Sequence, residues 1–286
     1  IAGGIGDDSI EGGLGDDVIA GGEGADQIAG GEGADTIDAG SGDDSVLGGA
    51  GDDTVLGNTG DDYLVGGLGS DSLDGGEGID EIDYSTDAAS GGEAGVTVDL
   101  SSGTATDGFG DSDTLSNIEN VTATDEADHL TGSDDANIIL GQAGDDVIAG
   151  RGGSDTIDGG FGADTLDGGL GNDTYYYYGK PGFDVIQDAG GSDRIVFAEG
   201  YYAASGWGSP YRQGNDLVYV SADSQSGFTV KDHFSDPNKS VEHFEFDFNR
   251  TEIIGMMRDD GFGELNWEDL RVNLNRIVSN NTKVKS

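Results

Sequence analysis

The chain is 286 residues long and carries 55 glycines, 58 acidic side chains against 12 basic ones, and no cysteine, for a formal net charge of −46. A polyanion of this density repels itself unless cations neutralise it, and the same field excludes nucleic acid and anionic membrane as partners. The lack of cysteine excludes disulfide stapling and thiolate chemistry, and no apolar stretch approaches the ~20 residues of a membrane span.

The charge is uneven, because residues 1–150 contain no Lys or Arg; Arg151 is the first, and the other eleven lie from Lys180 onward. Ile1 falls directly inside a repeat with no signal peptide before it, so the chain reads as an excised fragment of a soluble protein. From Gly3 to Asp83 a nine-residue unit repeats nine times without a gap. The first units read GGIGDDSIE, GGLGDDVIA, GGEGADQIA and GGEGADTID, and later ones tolerate Ala39 for the first glycine and Asn58 for the second. Position six never varies: Asp8, Asp17, Asp26, Asp35, Asp44, Asp53, Asp62, Asp71 and Asp80. Position eight is always aliphatic, from Ile10 and Ile19 through Val46 and Leu64 to Ile82.

Each unit is predicted to be a six-residue glycine-rich turn followed by about three residues of strand with one inward apolar side chain. Glycines at positions one, two and four are expected to supply positive φ angles that turn the carbonyls toward one point. The aspartate adds the charge. A hard cation such as Ca²⁺ takes 6 to 8 oxygens, from carboxylates and carbonyls, whereas soft metals find no ligands in a chain with no Cys and three His. One buried aliphatic side chain per nine residues cannot offset the ordering of nine backbones, several of them glycine. Residues 3–83 and 123–176 are therefore expected to be largely disordered in chelator and ordered by calcium.

Residues 84–122 interrupt the array. Val96, Val98 and Leu100, then Leu115, Ile118 and Val121, predict short strands that carry the winding across with a different turn. A second array of six units fills 123–176, with Leu130, Ile139, Ile148, Ile157, Leu166 and Tyr175 at position eight. Its first two units are eroded: Glu126 and Asp135 replace the fourth-position glycine, and Asn137 replaces the aspartate. Weak or absent metal sites are expected there. The other four units place Asp146, Asp155, Asp164 and Asp173 at position six. From Tyr175 onward lie 18 of the 22 aromatics, in short alternating segments that predict a β-rich cap over 177–286 ending in short amphipathic helices at 251–260 and 266–278.

The unit Gly12-Gly13-Leu14-Gly15-Asp16-Asp17-Val18-Ile19-Ala20 resembles the calcium-binding nonapeptide of the RTX family, bacterial proteins exported by type I secretion. The resemblance implies an all-β fold, a right-handed parallel β-roll in two blocks (1–83 and 123–176) joined by an inter-block linker like that of adenylate cyclase toxins and closed by a C-terminal flank. Two units then make one turn, so Asp8 shares an ion with Asp26 and Asp17 with Asp35. The resemblance also implies backbone carbonyl ligands at the fourth-position glycines: Gly6, Gly15, Gly24, Gly33, Gly42, Gly51, Gly60, Gly69 and Gly78 in the first block, and Gly144, Gly153, Gly162 and Gly171 in the second. About ten calcium ions are expected in all. Further implications are secretion to the extracellular space or cell surface through a transient partner, the type I apparatus, and an uncleaved secretion signal in the last region of the chain.

Other readings are weaker. His129, His233 and His243 sit in repeat or strand patterns and are expected to be structural. Paired carboxylates such as Asp7 and Asp8 recur too often to be a catalytic pair, and no enzymatic activity is expected of the chain itself. Residues 107–119 lack the glycine and final Glu spacing of an EF-hand despite Asp111, Asp113, Asn117 and Glu119. Asp236-Pro237 reads as an ordinary turn. An alternative function is recognition of a carbohydrate or cell surface through the aromatics Tyr201, Tyr202, Trp207 and Tyr211.

Overall fold

A computed structural model describes residues 1–178, 182–197, 209–221, 224–235 and 241–246. The helices expected at 251–260 and 266–278, the residues Tyr201, Tyr202 and Trp207, and the Asp236-Pro237 bond lie outside the described residues. The fold is an all-β parallel solenoid of about 11 turns, a β-roll. Among the described residues its helix content is a single turn at Asp87–Ser90.

Consecutive units alternate between two sheets, of 15 and 11 strands among the described residues. Ile19 stands beside Ile37 in one sheet and Ile10 beside Ile28 in the other, so partners are 18 residues apart and two units close one turn. The position-eight side chains of both sheets point inward as two facing rows, and from Ile19 to Ile82 they are at most 3% exposed. Their packing is the apolar core of the roll.

Strand length departs from expectation in the first block. Strands such as Ser9–Leu14 and Val18–Glu23 run six residues, because the backbone of positions one to three continues the parallel ladder beside the next turn, with Gly13 opposite Gly31. In the second block the strands shorten to three residues, as at Val147–Ala149 and Thr156–Asp158, up to the four-residue Thr174–Tyr177. There the position-three contacts persist as isolated bridges, Ala143 to Phe161 and Gly152 to Leu170.

The segment between the arrays carries both sheets onward. In one sheet Asn120–Thr122 pairs in parallel with Glu81–Asp83 on one side and Ile138–Leu140 on the other. In the other, Ser112–Ser116 follows Ser72–Glu77 in parallel, and Thr97–Asp99 leads in parallel to His129–Thr131. Thr104–Thr106 fills the gap between them antiparallel to both, so a small meander replaces one winding. Val96, Val98, Leu115, Ile118 and Val121 are buried and continue the core.

Beyond residue 176 the sheets go on through Gly182–Gln187 and Asp193–Phe197, now with a register of 20 residues. Ser226–Val230 adds in parallel to the first of these, and Asp216–Val220 and Ser209–Gln213 complete an antiparallel edge. Tyr177, Phe197, Tyr219 and Phe228 fill the interior of this end with ring centroids 5.2–5.8 Å apart, where the repeats have single aliphatic side chains.

Candidate metal centre

The winding stacks every position-six aspartate above another, and the stack is stitched by its own backbone. Asp8 N–H donates to Asp26 Oδ1 and Asp17 N–H to Asp35 Oδ1, both at 2.8 Å. The same bond recurs at 2.7 or 2.8 Å up to Asp80. In the second block it links Asp128 to Asp146, Asp146 to Asp164, Asn137 to Asp155 and Asp155 to Asp173. One carboxylate oxygen is thus consumed in ordering the turns.

The other oxygen is left over. In all thirteen aspartates assigned from the repeat, Asp8 to Asp80 and Asp146 to Asp173, Oδ2 is buried without a hydrogen-bond partner. A buried carboxylate oxygen with no donor is costly, and a column of them is more so. Backbone oxygens face the same place: a Cβ built on Gly48 would stand 2.6 Å from Asp53 Oδ2 and 2.7 Å from the carbonyl oxygen of Gly66 in the next turn. Gly3 gives the same pair of distances to Asp8 Oδ2 and the Gly21 carbonyl. Carboxylate and carbonyl oxygens gathered without protons form a hard-cation donor set, and they fit calcium.

Position one therefore needs correction. Glycine there does not adopt positive φ; it is small so that the oxygens of two turns can meet, and positive φ belongs to positions two and four. At position four all thirteen glycines, from Gly6 to Gly171, have φ between 91° and 155°. A Cβ on Gly24 would meet the Gly6 carbonyl carbon and oxygen at 2.5 and 2.6 Å, so the backbone of the previous turn leaves no room for a side chain at position four.

Three features escaped sequence reasoning. First, the ladders outrun the repeats: Asp71 N–H donates to Asp113 Oδ1, Asp80 N–H to Glu119 Oε2, Asp164 N–H to Asp184 Oδ1 and Asp173 N–H to Asp193 Oδ1. Irregular spacing hid these rungs, which follow 42, 39, 20 and 20 residues after their donors. Asp113 and Glu119, weighed as EF-hand ligands, instead cap two different columns. Second, position-five aspartates form a ladder of the opposite sense: Asp7 Oδ1 accepts from Ala25 N–H and Asp43 Oδ1 from Asp61 N–H, both at 3.0 Å. Third, the eroded units close their own sites. Asp128 Oδ1 takes the Val96 N–H at 2.6 Å, and its Oδ2 takes the Thr124 N–H at 3.0 Å. Asn137 Oδ1 accepts from Ser133 N–H at 2.7 Å, while its Nδ2 donates to the Glu119 carbonyl at 2.7 Å. The Thr124 hydroxyl also donates to Asp128 Oδ1 at 2.9 Å and the Ser133 hydroxyl to Asn137 Oδ1 at 3.3 Å, so a hydroxyl residue at position two and an amide at position six supply donors that the intact units lack.

Electrostatics follow the packing. Burial first, and then neighbouring carboxylates in the stack, push Asp53 and Asp62 up to about 6, Asp71 and Asp155 to about 7 and Asp146 to about 8, against the backbone N–H bonds that pull them down. The histidines stand apart from this chemistry. His129 is exposed, His243 Nε2 lies 3.1 Å from Ser192 Oγ, and His233 packs edge-on against Phe234.

A family model, the RTX calcium-binding nonapeptide repeat, matches residues 1–28, 21–55, 47–82, 113–148, 122–156, 140–175 and 176–201. No curated protein matches the chain. Among solved structures, the extracellular lipase LipA from Serratia marcescens is similar at 21% identity with a TM-score of 0.27, over 69% of this chain and 37% of the lipase chain. The chain thus spans little more than a third of that structure's length. The repeat model covers more than half of a chain whose stacked aspartates each keep one buried oxygen without a hydrogen-bond partner, and the chain belongs to the RTX family of calcium-binding nonapeptide repeat proteins.

Proposed function

We propose that this module is a calcium-driven folding switch: unfolded where calcium is scarce, it is exported through a type I apparatus and wound into the roll by millimolar calcium outside the cell. The observation that carries the reading is the column of buried Oδ2 atoms without partners, since a stack that leaves thirteen buried carboxylate oxygens without donors is favoured by cations between its turns. The ion count follows the intact intervals, about ten, with none at Asp128 or Asn137, and sites of extracellular type have Kd on the order of 10⁻⁴–10⁻³ M. Any toxic, adhesive or enzymatic activity belongs to other parts of a larger protein, and the module itself is non-catalytic.

Far-UV circular dichroism during a calcium titration, repeated with Mg²⁺ at equal ionic strength, tests this reading. A steep transition to β-structure with calcium alone is the expected result. An already folded calcium-free chain, or equal action by Mg²⁺, would overturn it. The alternative, surface or glycan recognition, is favoured by Tyr211, which is 46% exposed on Ser209–Gln213, the last strand of its sheet among the described residues. A glycan array probed with the calcium-loaded protein separates the two.

A further inference from the structure

In the last winding of the roll one position carries a side chain that no intact unit has there. Val185, Ile186 and Gln187 pair with Thr165, Leu166 and Asp167, which fixes them at positions seven, eight and nine. The next six residues, Asp188 to Asp193, then take positions one to six and end on the ladder aspartate. Asp188 therefore stands at position one, where intact units carry glycine or the single Ala39 and where the oxygens of two turns converge.

A carboxylate at that point joins two others. Asp173, Asp188 and Asp193 are 0%, 3% and 1% exposed, and one ligand oxygen from each lies within 4.8 Å of the other two. Among the described residues no other group of three acidic or histidine side chains gathers so closely. Independently of the clustering, Asp173 Oδ2 is wholly buried without a hydrogen-bond partner. The remaining contacts hold the group in place: Asp173 Oδ1 accepts from Asp155 N–H at 2.8 Å, Asp193 Oδ1 from Asp173 N–H at 2.9 Å, and Asp188 Oδ1 from Gly190 N–H at 3.0 Å. Asp188 Oδ2 accepts from the Tyr175 hydroxyl at 2.6 Å, and that hydroxyl in turn accepts from Gly168 N–H at 2.7 Å.

We propose that Asp173, Asp188 and Asp193 form a three-carboxylate calcium site at the junction of roll and cap, distinct in composition from the two-carboxylate intervals of the repeats and tighter than any of them. Affinity for calcium rises with the number of charged ligands in a rigid site, and Asp188 supplies the additional charge. This site rests on the reading that the intact intervals take calcium, and it adds a rank order to them: the junction fills first.

Tyr175 provides the readout, because its phenol touches a ligand of this site. The full chain is titrated with Tb³⁺ under tyrosine excitation and the bound ion is displaced with Ca²⁺, for the natural chain, Asp188→Gly and Asp188→Asn. The glycine variant restores the residue that the other units carry, and the asparagine variant keeps an acceptor for Tyr175, so each preserves the winding by a different route. The expected result is an early tyrosine-sensitised phase in the natural chain that weakens by about tenfold in both variants, with the later, weaker equivalents unchanged. An early phase that survives in both variants, or no early phase in the natural chain while the later equivalents bind, overturns the junction site alone. Uptake of no ion at all by the natural chain overturns the calcium reading of the repeats, and this site with it.

Discussion

At the scale of single residues, the unit divides its labour by position. Position six gives one oxygen to the backbone of the neighbouring turn and reserves the other, and position one gives up its side chain so that the reserve can be reached. Composition and spacing made position six legible as a ligand, because an invariant aspartate in a glycine turn has few other uses. The role of position one was not legible, since glycine for conformation and glycine for space are spelled alike. Asn137 shows the logic in reverse: its amide donates to the Glu119 carbonyl and needs no ion. Asn137→Asp removes that donor and leaves acceptors facing each other, so the variant is expected to bind one more calcium per chain at saturation by equilibrium dialysis; unchanged stoichiometry would refute the account. The raised carboxyls set the pH dependence of the metal-free chain. Their values in the fold, about 6 to about 8, stand above the ordinary 3.8, so protonation favours the stacked state, and that contribution is lost as pH rises through this window. With chelator present, β-structure by circular dichroism is expected to grow as pH falls from about 8 towards 4; with calcium present, apparent affinity is expected to weaken over the same range as protons compete. A metal-free signal indifferent to pH would sink the first expectation.

At the scale of elements, the period of nine announced the strands, and one aliphatic side chain per unit announced which residue faces inward. The length of the strands was not announced. Apart from the buried Ala39, positions one to three carry no inward apolar side chain, so little in their hydrophobic pattern distinguishes strand from turn, yet in the first block they continue the parallel ladder. The core remains one residue wide in each sheet, which makes each position-eight side chain hard to replace. Ile37 is fully buried between Ile19 and Val55 in its row. Ile37→Ala is expected to cost about 2–5 kcal/mol in the calcium-loaded state, read as a lower denaturation midpoint in urea at fixed calcium. A cost below about 0.5 kcal/mol, the range of ordinary surface substitutions, would mean that the rows contribute little beside the ions.

At the scale of the whole molecule, the two first-block aspartate columns end in the segment between the arrays, on Asp113 and Glu119, and those of the second block run past the last regular unit to Asp184 and Asp193. The sequence indicated that the winding would be carried across by short strands but not by which residues, because a meander of three strands has no period to match. The cap was legible as a change of composition, and its reason is visible in the packing: Tyr177, Phe197, Tyr219 and Phe228 close an end that otherwise exposes a row of aliphatic side chains. Removing residues 177–286 is expected to abolish calcium-induced folding, checked by circular dichroism at saturating calcium; a truncated chain that still folds fully would show that the roll starts elsewhere. The self-sealed turns at Thr124–Asp128 and Ser133–Asn137 have a mechanical consequence. Under tension from its two ends, a solenoid peels turn by turn, and wherever an ion bridges two turns the rupture force tracks the calcium in the bath. These two turns are held by hydroxyl and amide groups instead, so their yield point is expected to stay fixed as calcium varies while that of the other turns shifts.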